Sequence, residues 1–463
     1  MDIFNLLPSP PLFFGQFLRL ALSLLKSTVS TNYRRSIHRC SSVDFDVDSR
    51  TGFFPQHPLP RLTGVYEIWE TALDHACQHL CLGTDTRPHN IDKHAFGYRW
   101  RHDIVAWPVF DVSWLNANTD LLRRAHYVLA WLVHFYVHSQ PPNEESTKVV
   151  PKSLAVPLVQ VSRRLGIAPV LTFADTVLWN CIPADPSQPL SMETMDNIRV
   201  MKVFSNTEDE KGFYISSAKA ELRGIEMLRI FEDYRNLPDV DDLTTISKLS
   251  RDLIRLSKII DDISDIIQNV RTNCDPEIFY QFVRPWFVGS DPSEGPRWIY
   301  EDVPESEQLD LSGPSAGQSS VMHALDIFLD IDHKQRHKRY PAPSDMNKRA
   351  DRGFMERMRR YMPGKHREYL SQLASMPHSI RDVAAQTPAL REPYDTAVAA
   401  LKRLRDLHLR IACLYIVTMS HKCPMMKRTH KATGPIRGTG GNEVSILLKT
   451  GRDNTQRGMF RLR

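Results

Sequence analysis

The chain contains 463 residues, of which 42% are hydrophobic and 24% are charged, and its formal net charge is +5. A chain of this length can bury a substantial core, and we expect it to form two or three domains. The small net charge argues against a nucleic-acid-binding protein. The two basic stretches, His333–Arg352 and His421–Arg437, contain a single aromatic ring, that of Tyr340, and so offer no series of interleaved aromatic side chains that could stack on bases. We interpret both stretches as solvated loops.

The first 43 residues differ in composition from the rest of the chain. Residues 11–26 are apolar but interrupted by Gln16 and Arg19, and they are too short for a membrane span of about 20 residues. No acidic residue occurs between Asp2 and Asp44, and scattered Arg, Lys, Ser and Thr give this segment the composition of a mitochondrial transit peptide. A disordered extension explains it as well. We expect an N-terminal extension over residues 1–43, no membrane span and a cytoplasmic location, with a mitochondrial location as the alternative.

One segment near the N-terminus has the residue types of a zinc site. It contains His75, Cys77, His79 and Cys81. On a helix the histidine pair and the cysteine pair lie on opposite faces, so they cannot share one tetrahedral ion. Seven irregularly spaced cysteines are also too few for a disulfide scaffold, and we expect a reducing compartment and no zinc.

Apolar residues recur with the period of an α-helix along most of the chain, and strand signals are scarce. We therefore predict an all-α fold. A hydrophilic run at residues 206–211 precedes a new apolar segment, and we expect a small helical domain over residues 44–203 and a larger one over residues 204–463. The main predicted helical segments are Thr119–His138, Ser217–Asn236, Leu243–Val270, Ser319–Asp332, Gly353–Tyr361 and Pro393–Met419.

Three closely spaced carboxylates suggest a magnesium enzyme. Asp261, Asp262 and Asp265 form a DDxxD pattern on a predicted helix, where carboxylates four residues apart can hold Mg²⁺ against a diphosphate, as in all-α prenyl diphosphate enzymes. The usual second metal motif on a later helix is missing. We favour a solvated acidic face and keep the prenyl diphosphate enzyme as an alternative.

A histidine occupies an apolar stripe near the C-terminus. Leu401, Leu404, His408, Ile411 and Tyr415 recur at helical spacing, which places the imidazole on the buried face. Burying an imidazole is unfavourable unless both ring nitrogens find partners, and a metal on one nitrogen with a hydrogen bond on the other is one solution. A hydrogen-bonded core histidine is the more common case. His408 alone therefore does not show that the protein binds a metal, and other motifs are needed.

Four longer motifs follow one another with consistent spacing: Ser315-Ala-Gly-Gln-Ser-Ser320, Arg359-Arg-Tyr-Met-Pro-Gly-Lys-His-Arg-Glu-Tyr-Leu370, Leu404-Arg-Asp-Leu-His408-Leu409 and Arg437-Gly-Thr-Gly-Gly441. Together they closely resemble the indoleamine 2,3-dioxygenases. The resemblance runs from about Asp44 to the C-terminus, and the extension before it lies outside.

The resemblance implies a two-domain helical enzyme with haem b in the larger C-terminal domain. It would insert both atoms of O₂ across the indole C2=C3 bond of L-tryptophan or a related indoleamine to give N-formylkynurenine, the first step of the kynurenine pathway toward NAD. His408 matches the proximal iron ligand, and a neutral histidine leaves the other face of ferrous iron free for O₂. Cys423 is a rival donor that we rank below it. A monomer and an electron donor that keeps the iron ferrous are also expected.

The same resemblance implies roles for individual residues of the substrate site. Phe213 and Phe279 match the aromatic residues that pack on the indole, and Arg284 matches the arginine that binds the substrate carboxylate through its planar guanidinium. Ser217 corresponds to the distal serine, a hydrogen-bond partner that need not act as a base. Thr439 matches the threonine of a glycine loop that closes over the substrate and could bond its ammonium or carboxylate.

Four further residues complete the expected pocket. Ser315 and Ala316 would lie against the haem. Phe173 and Thr176 occupy inner-pocket positions where the animal pattern has tyrosine and cysteine, which leaves the activity in place and the kinetics open. A non-catalytic haem sensor of the same fold is the remaining alternative.

Overall fold

The computed structural model describes residues 42–142, 147–237, 242–290, 296–423 and 436–460. The chain divides into two compact units, Met1–Asp44 and Phe45–Arg463. The predicted N-terminal extension lies almost wholly outside the described residues. Among the described residues, every helix is too short or too polar to cross a lipid bilayer.

Helices dominate the described residues, as the sequence predicts. Three π-helical turns lie at Ala174–Leu178, Phe279–Val283 and Cys413–Thr418. Short 3₁₀ turns lie at Ser42–Phe45, Gly64–Tyr66, Pro88–Asn90, Ser113–Ala117, Ser306–Gln308, Ala316–Gln318 and Arg359–Tyr361. The α-helices are α1 Glu67–His79, α2 Ile91–Ala106, α3 Thr119–His138, α4 Lys152–Leu165, α5 Glu208–Arg223, α6 Ile225–Arg235, α7 Leu243–Gln268, α8 Val270–Asn273, α9 Pro276–Ile278, α10 Arg284–Phe287, α11 Ser320–Phe328, α12 Asp345–Arg349, α13 Phe354–Met358, α14 Gly364–Ala374, α15 Ile380–Gln386, α16 Pro388–Ala412, α17 Met419–Lys422 and α18 Val444–Gln456.

Four short strands form two small sheets in the described part of the chain. Strand β1 (Thr147–Val150) pairs in parallel with β4 (Arg297–Tyr300), and β2 (Cys181–Pro183) pairs antiparallel with β3 (Ile198–Val200). Each sheet has only two strands, so neither could fold alone. The all-α prediction is confirmed, since these strands tie helices together without forming a layer of their own.

Helix α3 begins and ends where the sequence predicts. The side-chain oxygen of Asn118 accepts hydrogen bonds from the backbone N–H groups of Asp120 and Leu121, which satisfies two donors at the helix start. By contrast, the predicted segment Ser217–Asn236 is two helices, because the chain bends at Gly224. A Cβ at that glycine would lie 2.3 Å from Cγ1 of Val321, so only glycine allows α11 to pack there.

The structure confirms the interpretation of His333–Arg352 as a solvated loop for most of its residues, which are exposed, and corrects it for a few. This stretch contains helix α12, and its residues His333, Ala350, Asp351 and Arg352 line an internal cavity. Arg339 is only 9% exposed because its guanidinium pairs with Asp330. Charge pairing, which composition does not reveal, allows this one arginine to be buried in a mostly exposed stretch. The second basic stretch, His421–Arg437, lies largely outside the described residues.

Contacts inside the larger unit cross the domain boundary expected near residue 203. The β1–β4 pair joins its two sides, and His134 on α3 donates a 2.7 Å hydrogen bond to the carbonyl oxygen of Trp286. The ring of Phe204 stacks between Trp131 and Trp286, with centroid distances of 4.1 and 5.2 Å. A two-domain division of residues 44–463 stays a proposal.

The two longest helices, α7 and α16, pack against each other along their apolar stripes. Ile260 and Ile263 on α7 and Leu401 and Leu404 on α16 are buried. On the solvent side Arg403 forms a 2.7 Å ion pair with Asp261. The apolar stripe of α16 continues past Leu404 to His408, one turn further on, and this is where the internal cavity opens.

Candidate active site

A cavity of about 420 Å³ lies in the larger unit and falls in the size range typical of ligand sites. Helices α5, α7, α16 and α18 contribute to its walls, together with the loop that contains Ser315 and the glycine loop Arg437–Gly441. The structure brings together all of the site residues expected from the sequence. The cavity is lined by Phe173, Thr176, Phe213, Ser217, Phe279, Arg284, Ser315, Ala316, His408 and Thr439.

His408 presents its ring to this cavity from helix α16. Within the described part of the chain, no residue forms a hydrogen bond with the imidazole. Burial lowers the pKa of His408, and the positive charge of Arg405 lowers it further. The ring is therefore neutral at physiological pH, which is the state in which a histidine nitrogen can bind a metal.

A network of charges adjoins His408. A guanidinium nitrogen of Arg405 lies 2.6 Å from Oδ2 of Asp326, and Nε2 of His333 lies 2.7 Å from the same oxygen. Burial alone would raise the pKa of Asp326, but Arg405 and His333 hold it well below its usual range. The carboxylate thus stays ionised and fixes Arg405, three residues before His408, against helix α11.

Two phenylalanines and an arginine form another part of the wall. The ring centroids of Phe213 and Phe279 lie 4.8 Å apart, so the two rings contact each other and form one aromatic wall on which a flat apolar ligand can pack. Phe279 begins a π-helical turn, whose i→i+5 geometry brings Arg284 near the same face. Arg284 donates a 2.8 Å hydrogen bond from its guanidinium to the carbonyl oxygen of Arg437, which links it to the glycine loop.

The two hydroxyl groups expected at the substrate are already used as donors. Ser217 donates to the carbonyl oxygen of Phe213 at 3.1 Å, and Thr439 donates to that of Pro314 at 2.6 Å. A hydroxyl has one hydrogen, so each can now only accept a hydrogen bond from a ligand. Thr439 was expected to bond the ammonium or the carboxylate of a substrate, and its hydroxyl, which already donates to Pro314, could accept a hydrogen bond only from an ammonium.

Phe173 and Thr176 lie on the inner wall. Both are buried, and the Thr176 hydroxyl donates to the carbonyl oxygen of Thr172 at 3.2 Å. Ser315 and Ala316 lie at the start of a 3₁₀ turn, where the Ser315 side chain accepts a 3.2 Å hydrogen bond from the Gly317 N–H. Their small side chains leave room for a ligand beside the backbone.

Sequence reasoning missed a buried acid at this site. Glu221 lines the cavity one turn beyond Ser217 on α5 and is 5% exposed. One carboxyl oxygen accepts a hydrogen bond from the Ser319 hydroxyl, and the other has no partner among the described residues. Burial raises the pKa of Glu221 to about 7. The four-residue spacing from Ser217 is the signal that could have found it.

Haem fits the residues that are present. A porphyrin needs a largely apolar slot and a side chain that can hold its iron, and the cavity offers both through the apolar faces of α7 and α16 and the ring of His408. The rival donor Cys423 is not among the described residues that line the cavity. Its sulfur accepts a 3.3 Å hydrogen bond from the Gln281 amide instead. His408 is therefore the residue that could hold the iron.

The other two metal hypotheses do not hold for the described residues. Asp261 and Asp262 are about half exposed and form ion pairs with Arg403 and Arg223. The predicted solvated acidic face is confirmed. On α1 His75 and His79 are exposed while Cys77 is buried, so these histidines lie on a different face from Cys77, and Cys81 lies beyond the end of the helix. No group of three or more His, Cys, Asp or Glu side chains in the described residues could hold a metal ion.

The helical fold and the cavity with its inward imidazole define a helical protein with a haem-compatible site. The family model for indoleamine 2,3-dioxygenase matches residues 41–458. The chain belongs to the indoleamine 2,3-dioxygenase family, whose enzymes are haem-dependent dioxygenases with O₂ as co-substrate.

Individual relatives agree with this assignment. Indoleamine 2,3-dioxygenase 1 of Rattus norvegicus is 28% identical, over 90% of this chain and 95% of its own length. Indoleamine 2,3-dioxygenase 2 of Homo sapiens is 31% identical, over 80% of this chain and 86% of its own length. The 6-hydroxytryptophan 2,3-dioxygenase of Fusarium equiseti is 27% identical, over 89% of this chain and 96% of its own length.

The raised pKa of Glu221 predicts a pH dependence of stability. Its pKa rises from an ordinary 4.5 to about 7 on folding, so its contribution is present below pH 4.5 and is lost as pH rises through about 7. Glu221→Gln keeps the acceptor for Ser319 and removes this titration. Between about pH 5.5 and pH 8, we expect the parent to lose on the order of 2 kcal/mol of unfolding free energy relative to the variant.

Urea denaturation at both pH values measures this difference. Glu368→Gln is the control, because Glu368 is exposed and distant from the cavity, and its profile should run parallel to that of the parent. If the unfolding free energies of Glu221→Gln and the parent changed equally between the two pH values, the raised pKa of Glu221 would be contradicted.

Proposed function

We propose that this chain is a haem-dependent dioxygenase that cleaves the indole C2=C3 bond of L-tryptophan to form N-formylkynurenine. The observation that carries the proposal is the single cavity that holds the His408 imidazole, the Phe213–Phe279 pair and the Arg284 guanidinium. In this cavity the imidazole would hold haem iron, the phenylalanine pair would contact an aromatic ring, and the guanidinium would pair with the carboxylate of a free amino acid.

His408 would hold the haem iron, and Ser315 and Ala316 would lie against the porphyrin. When bound, haem supplies the activation of O₂. The chain's own contribution is then to keep the imidazole neutral and to enclose the reaction in apolar walls. Attack by an indole carbon needs no strong base, so we assign Ser217 the role of a hydrogen-bond acceptor.

Arg284 and Thr439 would hold the two ends of the amino acid group. The planar guanidinium of Arg284 can form two parallel hydrogen bonds with a carboxylate. The Thr439 oxygen, whose hydrogen is donated to Pro314, can accept from the ammonium. The indole would lie against Phe213 and Phe279, whose rings suit an uncharged bicycle.

The inner wall favours an indole ring that carries no hydroxyl. Phe173 offers no hydrogen-bonding group, and Thr176, whose hydrogen is donated to a backbone carbonyl, could accept one hydrogen bond from a ring hydroxyl but could not donate one to it. A ring hydroxyl placed here would lose hydrogen bonds to water without full replacement. We therefore propose tryptophan as the substrate and not 6-hydroxytryptophan, on which the Fusarium equiseti relative acts by name.

The wider role follows from the product. N-formylkynurenine formation is the first step of the kynurenine pathway, which leads toward NAD. We further propose a cytoplasmic monomer that depends on a cellular electron donor to keep its iron ferrous. We propose no nucleic-acid partner.

A product assay tests the activity. The purified protein is reconstituted with haem and supplied with reductant, tryptophan and ¹⁸O₂, and N-formylkynurenine is measured by mass spectrometry. We expect the product to carry two ¹⁸O atoms. A stable haem spectrum without product would instead indicate a non-catalytic haem protein of the same fold.

Replacement of Arg284 by Ala should weaken tryptophan binding strongly. Loss of one partner of a desolvated charge pair costs on the order of 2 to 5 kcal/mol, so KM should rise by roughly 30-fold or more. Steady-state kinetics measures the change. Arg271→Ala is the matched control, because Arg271 is exposed and does not line the cavity. Equal KM values for the parent and Arg284→Ala would show that Arg284 does not bind the carboxylate.

A further inference from the structure

One buried amide bridges the inner wall of the cavity and the loop beside it. The side-chain oxygen of Gln318 accepts a 2.9 Å hydrogen bond from the Phe173 N–H. Its side-chain nitrogen donates a 2.9 Å hydrogen bond to the carbonyl oxygen of Gly313. Gln318 is 2% exposed, so water cannot replace either bond.

The chain of hydrogen bonds continues from Gly313 to the glycine loop. The Gly313 N–H donates to the carbonyl oxygen of Thr439 at 3.1 Å, and the Thr439 hydroxyl donates to that of Pro314 at 2.6 Å. Gly313 also packs closely against the backbone of Phe287, because a Cβ at this position would lie 1.7 Å from the Phe287 carbonyl oxygen. The inner wall and the glycine loop are therefore held in one network that passes through the Gln318 side chain.

The two backbone partners of Gln318 need different hydrogen-bonding groups. The Phe173 N–H requires an acceptor and the Gly313 carbonyl requires a donor, and an amide supplies both at once. A carboxylate would satisfy the first and repel the second. A protonated carboxylic acid, with one acceptor oxygen and one O–H donor, would satisfy both.

We propose that Gln318 is a positioning residue for substrate, which sets the pose of the glycine loop Arg437–Gly441 against the inner wall at Phe173. This inference rests on the proposed function. Gln318 touches the substrate only through others: Phe173 on one side, and Thr439 by way of Gly313 on the other. Replacement of Gln318 should thus change the affinity for tryptophan, measured as KM, more than the turnover rate kcat.

Gln318→Glu tests the proposal through pH. At pH 8 the buried carboxylate faces the Gly313 carbonyl oxygen, and the KM for tryptophan should exceed that of the parent by roughly tenfold, as expected for one unmade buried hydrogen bond. Burial raises the pKa of such a carboxyl group, so it should become protonated as the pH is lowered from 8 to about 5.5. By about pH 5.5 the ratio of variant to parent KM should fall to within roughly threefold, while kcat changes less than KM.

Two further variants separate positioning from general damage. Gln318→Met has a similar volume and lacks both hydrogen-bonding groups, so its KM should be raised at every pH without recovery in acid. Gln372→Glu places the same charge at an exposed position on α14, and its KM should equal that of the parent throughout. Tryptophan Kd from calorimetry, haem content and thermal unfolding are measured on the same samples.

The outcomes are distinct. Acid recovery in Gln318→Glu alone, at parental haem content, supports the proposal. Parental KM and Kd in both Gln318 variants overturn it, and so does a raised KM in Gln318→Glu that does not depend on pH. Absence of N-formylkynurenine from the parent overturns the proposed function and this inference with it, whereas product from the parent with unaltered variants overturns the inference alone.

Discussion

The packing of α7 against α16 is the constraint on which the rest of the structure depends. These helices bury a continuous apolar stripe up to Leu404, and the next position of that stripe, His408, meets a cavity instead of a side chain. An imidazole in this position is unfavourable unless a ligand in the cavity satisfies it. The helix pair therefore creates both the space for a prosthetic group and the donor that would hold it.

The polar groups around the cavity are fixed before any ligand arrives. Asp326 holds Arg405, backbone carbonyls take the hydrogens of Ser217 and Thr439, and Gln318 ties the inner wall to the loop that contains Gly313. A site arranged in this way needs little reorganisation when substrate binds. Under the proposed function, these fixed polar groups would hold the charged ends of the amino acid inside walls that are mostly apolar.

Much of the site could be predicted from the sequence. Helical period placed His408 on a buried face, and family motifs identified residues that the fold brings into one cavity. Other features depend on contacts between distant segments. The split at Gly224 depends on close packing with Val321, the cavity lining by His333 depends on Asp326, and the bridging role of Gln318 depends on Phe173, which is 145 residues away in sequence. Local patterns carry no information about such partners.

The most direct test of this account is the absorption spectrum of the haem-reconstituted protein and of its His408→Ala variant. Cys423→Ala serves as the control, since its sulfur is expected to take no part in binding iron. The account predicts a histidine-ligated haem spectrum and full haem content in the parent and in Cys423→Ala, with loss of tightly bound haem in His408→Ala. A His408→Ala protein that keeps the parental spectrum and haem content would contradict it.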